Sequence, residues 1–222
     1  MKRVTLFAGH YGSGKTNLAV NFALESARAG RKTLIADLDI VNPYFRTRDS
    51  EDELTRAGVR IIVSPYANSN VDVPALPQEM YAVADDKSYS AVIDVGGDDR
   101  GALALGRLAP RLMAENDYDM WFVVNFFRPL TRTAEAAETV FREVEAASRM
   151  RFTGVINNSN LGGATAPEDV LTTLARADEL CARVRLPLVK TTVRADLVCA
   201  LEGKAKNVFP VNLHFRDDWA IF

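Results

Sequence analysis

Between Gly9 and Thr16 the chain reads GHYGSGKT, which fits the template G-x-x-x-x-G-K-[ST] at every fixed position. The run before it, VTLFAG, reads as a short apolar strand. The run after it, Lys15 to Ala29 (KTNLAVNFALESARA), has apolar residues at helical spacing and stops at Gly30. A glycine-rich turn that leaves a buried strand and enters a helix is a phosphate cradle, and it commits the chain to a sheet with helices packed on it. Glycines at 9, 12 and 14 let backbone N–H groups turn inward on phosphate oxygens. Lys15 supplies a point charge for the β- and γ-phosphates, Thr16 offers a hydroxyl to Mg²⁺, and the helix adds its positive end. The expected cradle is therefore Gly9, His10, Tyr11, Gly12, Ser13, Gly14, Lys15 and Thr16, with Asn17 in the first helical turn.

The remaining chain alternates in the same way. Strands are predicted in RKTLIADLD, VRIIVSP, SAVIDVGG (Ser90 to Gly97), DMWFVVNF, RFTGVINN and LPLVKTTV, and helices over Thr133 to Ala147 and about Pro167 to Val184. Nearly continuous apolar strands separated by helices imply a mostly parallel sheet covered on both faces, a three-layer α/β/α arrangement. No repeat, low-complexity run or linker divides the 222 residues, so residues 1–222 read as one domain. Pro65 to Pro77 is the least regular stretch and reads as a surface loop near the active face.

A net charge of −2 provides no field for nucleic acid or an anionic membrane. No run approaches the roughly 20 apolar residues that span a bilayer. Cys181 and Cys199 stand far apart with no CxxC, which signals neither a zinc nor a cluster site. Such isolated thiols suit a reducing cytoplasm and read as core or near-core filling.

A phosphate loop needs a second oxygen for magnesium. Asp94 ends the apolar run AVID and is the expected water-mediated Mg²⁺ partner, because ligands gather outside the carboxyl ends of such strands. Gly96 and Gly97 would let the backbone approach a γ-phosphate. In IADLDIVNPYF, Asp37 and Asp39 stand two apart at a strand end and so face the same way. Asp39 is the candidate for orienting the attacking water, and an Mg²⁺ partner as well; Asp37 is a support or outer-sphere Mg²⁺ partner.

Together GHYGSGKTNLAVNFA, DLDI, DVGG and GVINNSN resemble the MinD/ParA/CobQ-CobB (SIMIBI) branch of P-loop proteins, over Val4 to about Val193. The resemblance implies a P-loop NTPase fold, ATP and Mg²⁺ as cofactors, and a strand-terminal Asn158 on the adenine edge, with the loop at Thr191 to Arg194 over the base. GTP-specific relatives carry N-K-x-D; here Asn157-Asn158-Ser159-Asn160 offers no carboxylate, which favours ATP. Dimerising members have GKGGVGKT, whose first lysine reaches the partner's nucleotide. His10 stands at that position, so a homodimer with cross-subunit charge compensation is left open, and Arg46, Arg48 and Arg100 are candidate replacements.

The chain lacks the bridging cysteines of iron–sulphur relatives, the basic terminal helix of membrane-cycling ones and the basic surface of DNA-partitioning ones. Its tail, VFPVNLHFRDDWAIF, reads as packed on the domain. The expectation is a cytoplasmic Mg²⁺-dependent ATPase that regulates a protein partner or loads a cofactor or metal. The alternative is a small-molecule kinase or ATP-dependent ligase like dethiobiotin synthetase or cobyrinate amidase, with a nucleotide-binding scaffold of little turnover as a third reading.

Overall fold

Five consecutive buried residues, Val4–Ala8, form β1, and everything that positions the candidate site is arranged around this strand. The computed structural model describes residues 2–38, 48–63, 78–97 and 99–214, without the side chains of residues 48, 49, 99 and 100. The strands that follow are β2 (Thr33–Asp37), β3 (Arg60–Val63), β4 (Ser90–Asp94), β5 (Tyr118–Val124), β6 (Gly154–Asn157), β7 (Leu188–Arg194) and β8 (Val208–Val211). They form one sheet in the order β3-β2-β4-β1-β5-β6-β7-β8, and every pairing is parallel. The order reverses direction at β1, and such a switch point opens a crevice at the carboxyl ends of the strands.

Helices α1 (Lys15–Arg28) and α2 (Arg48–Arg56) cover one face. The short α3 (Ala82–Asp85), with α4 (Asp99–Glu115), α5 (Ala134–Ser148) and α6 (Pro167–Val184), covers the other. The fold is therefore three-layer α/β/α, as the alternating pattern predicts. Side chains alternate across the sheet accordingly: Phe7, Ile35 and Val92 pack with α1, while Leu6, Leu34 and Ile93 pack with the opposite layer. Phe22 of α1 meets Phe7 and Trp121 edge-on at ring separations of 5.4 Å each, fixing the helix on the sheet just behind the loop.

Local chemistry sets the helix ends. The Thr133 hydroxyl accepts a bond from Ala136 N at 3.1 Å and starts α5. At α6, Pro167 occupies the first turn, and the Asp169 carboxylate accepts a bond from Ala166 N at 2.8 Å.

Several expectations change. β2 ends at Asp37, short of Asp39, which lies with 39–47 outside the described residues, as do Arg46 and the loop Pro65 to Pro77. The side chains of Arg48 and Arg100 also lie outside them. Helix α4 carries an internal Pro110, which breaks the sequence signature of a helix without breaking the helix. The tail supplies β8, an edge strand that tolerates Pro210 because its outer side has no ladder partner among the described residues. Cys181 is half-buried, and burial pushes its thiol up to about 11, but Cys199 is exposed, which corrects its reading as core filling. Among the described residues no helix is long and apolar enough to cross a membrane.

Candidate functional site

The loop Gly9 to Gly14 leaves β1 at the centre of the sheet and enters α1 through Gly14, whose φ of 83° is a left-handed conformation. No side-chain cap bond is made at the start of α1 and no acid stands in its first turn, so its positive dipole end suits an anion. The loop is braced from within by Ser13 N on His10 O at 3.2 Å. Lys15 is 7% exposed, and its ammonium donates to His10 O at 3.1 Å, across the mouth of the loop. The His10 ring turns away onto the Tyr11 carbonyl, 2.9 Å from Nδ1; a carbonyl only accepts, so Nδ1 carries the proton.

The acids come from the neighbouring strands. Asp94 ends β4 and is 1% exposed; its Oδ2 accepts the Thr16 hydroxyl at 2.6 Å. Asp37 ends β2 directly opposite Asp94 in the parallel register, so the two carboxylates share the α1 face of the sheet. This row brings together Lys15, Thr16, Asp37 and Asp94, all singled out in the sequence. Asp39 lies beyond it, outside the described residues.

Gly97 closes this flank. A Cβ there would stand 2.7 Å from Tyr11 N, 2.8 Å from Tyr11 Cα and 2.9 Å from Lys15 Nζ. Only glycine brings the segment after β4 so close to the loop and its lysine.

The other flank is built from β5, β6 and β7. The Asn158 amide nitrogen donates to Ser13 O at 2.6 Å, and its amide oxygen meets the Thr192 hydroxyl. Asn158 thus stands under the loop, and a Cβ on Gly14 would run into its amide. Asn157 is turned inward to Thr173 and Ser159. Asn160 closes a local turn, donating to Asn158 O at 2.7 Å and accepting from Gly162 N at 3.0 Å.

Asn17, in the first turn of α1 as expected, also reaches a second part of the chain. Its side chain donates to Asn212 O at 2.9 Å and accepts from His214 N at 2.9 Å, so it clasps the segment after β8.

Arg128 escapes the sequence reading, and Thr192 belongs to the stretch Thr191 to Arg194 expected as a loop over the base, which the structure places in β7 instead. Thr192 holds Asn158, and Arg128 lies along the loop with Nε donating to Gly12 O at 2.8 Å. The signal for Arg128 is positional: NFFRPLT follows a central strand at the carboxyl edge, where ligands gather.

For magnesium, the donor set fits. Thr16 and Asp94 present two hard oxygens 2.6 Å apart beside the loop, the chemistry Mg²⁺ takes when phosphate oxygens and waters complete its shell. Among the described residues no group of three or more His, Cys, Asp or Glu could hold a metal by itself.

Among solved structures the chain is similar to cell division protein FtsY of Thermotoga maritima (19% identity, TM-score 0.59, covering 86% of this chain and 61% of that one). It is similar also to chloroplast FtsY of Physcomitrella patens (17%, 0.56, 86% and 58%). A third is the signal recognition particle receptor FtsY of Elizabethkingia anophelis in complex with GDP (17%, 0.52, 87% and 58%). The fold is that of the P-loop NTPases. The chain spans about three fifths of the length of these structures, and at such identities the likeness concerns the fold. No family model matches the chain, and no curated protein matches it. The narrower likeness to the MinD/ParA/CobQ-CobB branch rests on the motifs alone.

Proposed function

We propose that the chain binds ATP with Mg²⁺ in the Gly9–Thr16 loop and hydrolyses it to ADP and phosphate, as a switch that regulates a protein partner or loads a cofactor or metal. The observation that carries this reading is the 2.6 Å bond between Thr16 and Asp94, which joins the phosphate loop to an acid at the tip of the adjoining strand. Such a pair has no packing purpose that an apolar residue would not serve better, since both are polar and Asp94 is buried.

In this reading the loop amides and the end of α1 hold the β-phosphate, and Lys15 leaves His10 O to meet the β- and γ-phosphates. Thr16, and Asp94 through water, would hold Mg²⁺, which would supply charge neutralisation between those phosphates. Gly97 N–H reaches the γ-phosphate, as its position against Tyr11 and Lys15 allows. Asp39 orients a water for in-line attack, with Asp37 in support; the water oxygen bonds the γ-phosphorus as the bond to the bridging oxygen breaks. His10 leaves the loop without the signature lysine of the dimerising members.

ATP is favoured over GTP because the turn after β6 presents amides and a hydroxyl where a guanine-reading acid would stand. The acid two residues after the end of β7, Asp196, is paired with Arg194 at 2.6 and 2.9 Å, and that bond holds its carboxyl below the usual range. The FtsY structure in complex with GDP gives reason to assay both.

Phosphate release measured with MgATP and MgGTP tests the proposal. Turnover with ATP is expected, lost in Lys15→Ala together with binding, and lost in Asp39→Ala with binding retained. Faster turnover with GTP would reverse the base assignment. Turnover that appears only with a metabolite, which emerges phosphorylated, would replace hydrolysis by the kinase reading.

A further inference from the structure

The two flanks of the phosphate loop are chemically unlike. On the β4 side stand Asp94, Gly97 and the Lys15 ammonium, the groups suited to magnesium and the outer phosphates. On the β5 side stands Arg128. Its backbone is fixed: its N donates to Asn125 O and its O accepts from Thr131 N, both at 3.1 Å, and Pro129 follows. From this anchor the side chain runs back over the loop, and Nε donates to Gly12 O at 2.8 Å. A Cβ on Gly12 would lie 3.3 Å from Nε and 3.6 Å from Cζ, so the guanidinium occupies the space that a larger residue at Gly12 would take. No ion pair with a described acid engages it, whereas Arg3, Arg183 and Arg194 each lie within 3 Å of a carboxylate.

Resting on the nucleotide-binding reading above, we propose that Arg128 is a nucleotide-contacting residue supplied in cis, whose guanidinium donates to the α-phosphate. The direction of the phosphate chain carries the assignment. With the outer phosphates toward β4, the inner end must leave the loop toward β5, β6 and β7, where Asn158 follows β6 and Thr192 stands on β7. A guanidinium holding the loop with Nε still presents two Nη groups, a fork matched to phosphate oxygens. The cation would thus read the part that ATP and ADP share, leaving the γ-phosphate to the Lys15 and Gly97 side.

The test is calorimetric titration of ATP and of ADP into wild type and Arg128→Gln, which removes the charge and keeps a polar stem, at low and at high salt. At low salt the variant is expected to lose roughly tenfold in affinity for both nucleotides, the effect of one solvent-screened charge-assisted contact. At about 1 M salt the difference should shrink severalfold, because screening acts on the charge and not on a loop brace. Equal affinity in the two proteins, a loss confined to ATP, or a loss that high salt leaves unchanged would each overturn the assignment while nucleotide binding stands. Absence of binding by the wild type would overturn both readings.

Discussion

Two glycines separate a general tolerance for substitution from a specific demand of the site. At Gly97 an added methyl would press on Tyr11 backbone at 2.7 and 2.8 Å and on the Lys15 ammonium at 2.9 Å; at Gly163 nothing lies within 4 Å. The lysine tip could swing aside, but the loop backbone cannot without disturbing the amides that line it. Gly97→Ala is therefore expected to lower stability by about 1–3 kcal/mol, the usual cost of overpacking, and to weaken nucleotide binding with it. Gly163→Ala should stay within about 0.5 kcal/mol of wild type. Urea unfolding of the two variants side by side checks this, and equal stabilities would show that the segment after β4 is free to move off the loop. The loop and its acid were readable because their chemistry is local: GHYGSGKT is a contiguous motif, and Asp94 ends an apolar run. Arg128 was not, nor was the bond by which Thr192 holds Asn158, since each contact is made by the fold across more than thirty residues of sequence.

At the scale of elements, α1 binds the nucleotide loop at one end and the terminal segment along its side. Asn17 and Asn21 both donate to Asn212 O at 2.9 Å, and Asn21 accepts from Asn212 N at 2.8 Å. The segment then delivers His214 to α2, with Nδ1 3.0 Å from a Glu53 oxygen, and Arg28 of α1 faces the same carboxylate at 3.6 Å. Burial holds the His214 imidazole below its ordinary value against the opposing pull of Glu53, with Arg28 lowering it further. The unfolded chain thus takes up a proton near pH 6.5 that the folded chain resists. Stability from this site is full above that pH and is lost as pH falls from about 6.5 toward the lower folded value. Unfolding free energies measured between pH 7.5 and 5.5 should fall more steeply for wild type than for His214→Gln; parallel curves would remove His214 from the account. This clasp was hidden in the sequence because Asn17 follows the motif directly and reads as part of it. The elements themselves were legible where period and composition agreed, as in α1 and α6, with Pro167 to Val184 predicted and found. They were missed where a proline interrupted the pattern: Pro110 inside α4 and Pro210 inside β8.

For the whole molecule, the position of the loop in the sheet matters more than any single contact. The strand bearing it, β1, pairs on one side with β4 and on the other with β5, in the middle of an eight-stranded sheet. Two strands lie beyond β4 and three beyond β5, and all are joined by one continuous ladder. A ligand seated at the centre contacts both halves, so the free energy of binding should be added to the unfolding of the entire sheet. At a ligand concentration of one hundred times Kd the gain is about 2.7 kcal/mol. For a chain of this length that corresponds to roughly 5–10 °C in the unfolding midpoint. Far-ultraviolet dichroism follows the sheet as a whole, while the fluorescence of Trp121, 6% exposed against Phe7 and Phe22, contributes a signal from beside α1. If residues 1–222 act as one domain, both signals should move by the same amount with MgADP, in a single transition, and Lys15→Ala should show no shift by either. A shift seen by fluorescence alone would mean that the outer strands unfold independently of the nucleotide-bound centre.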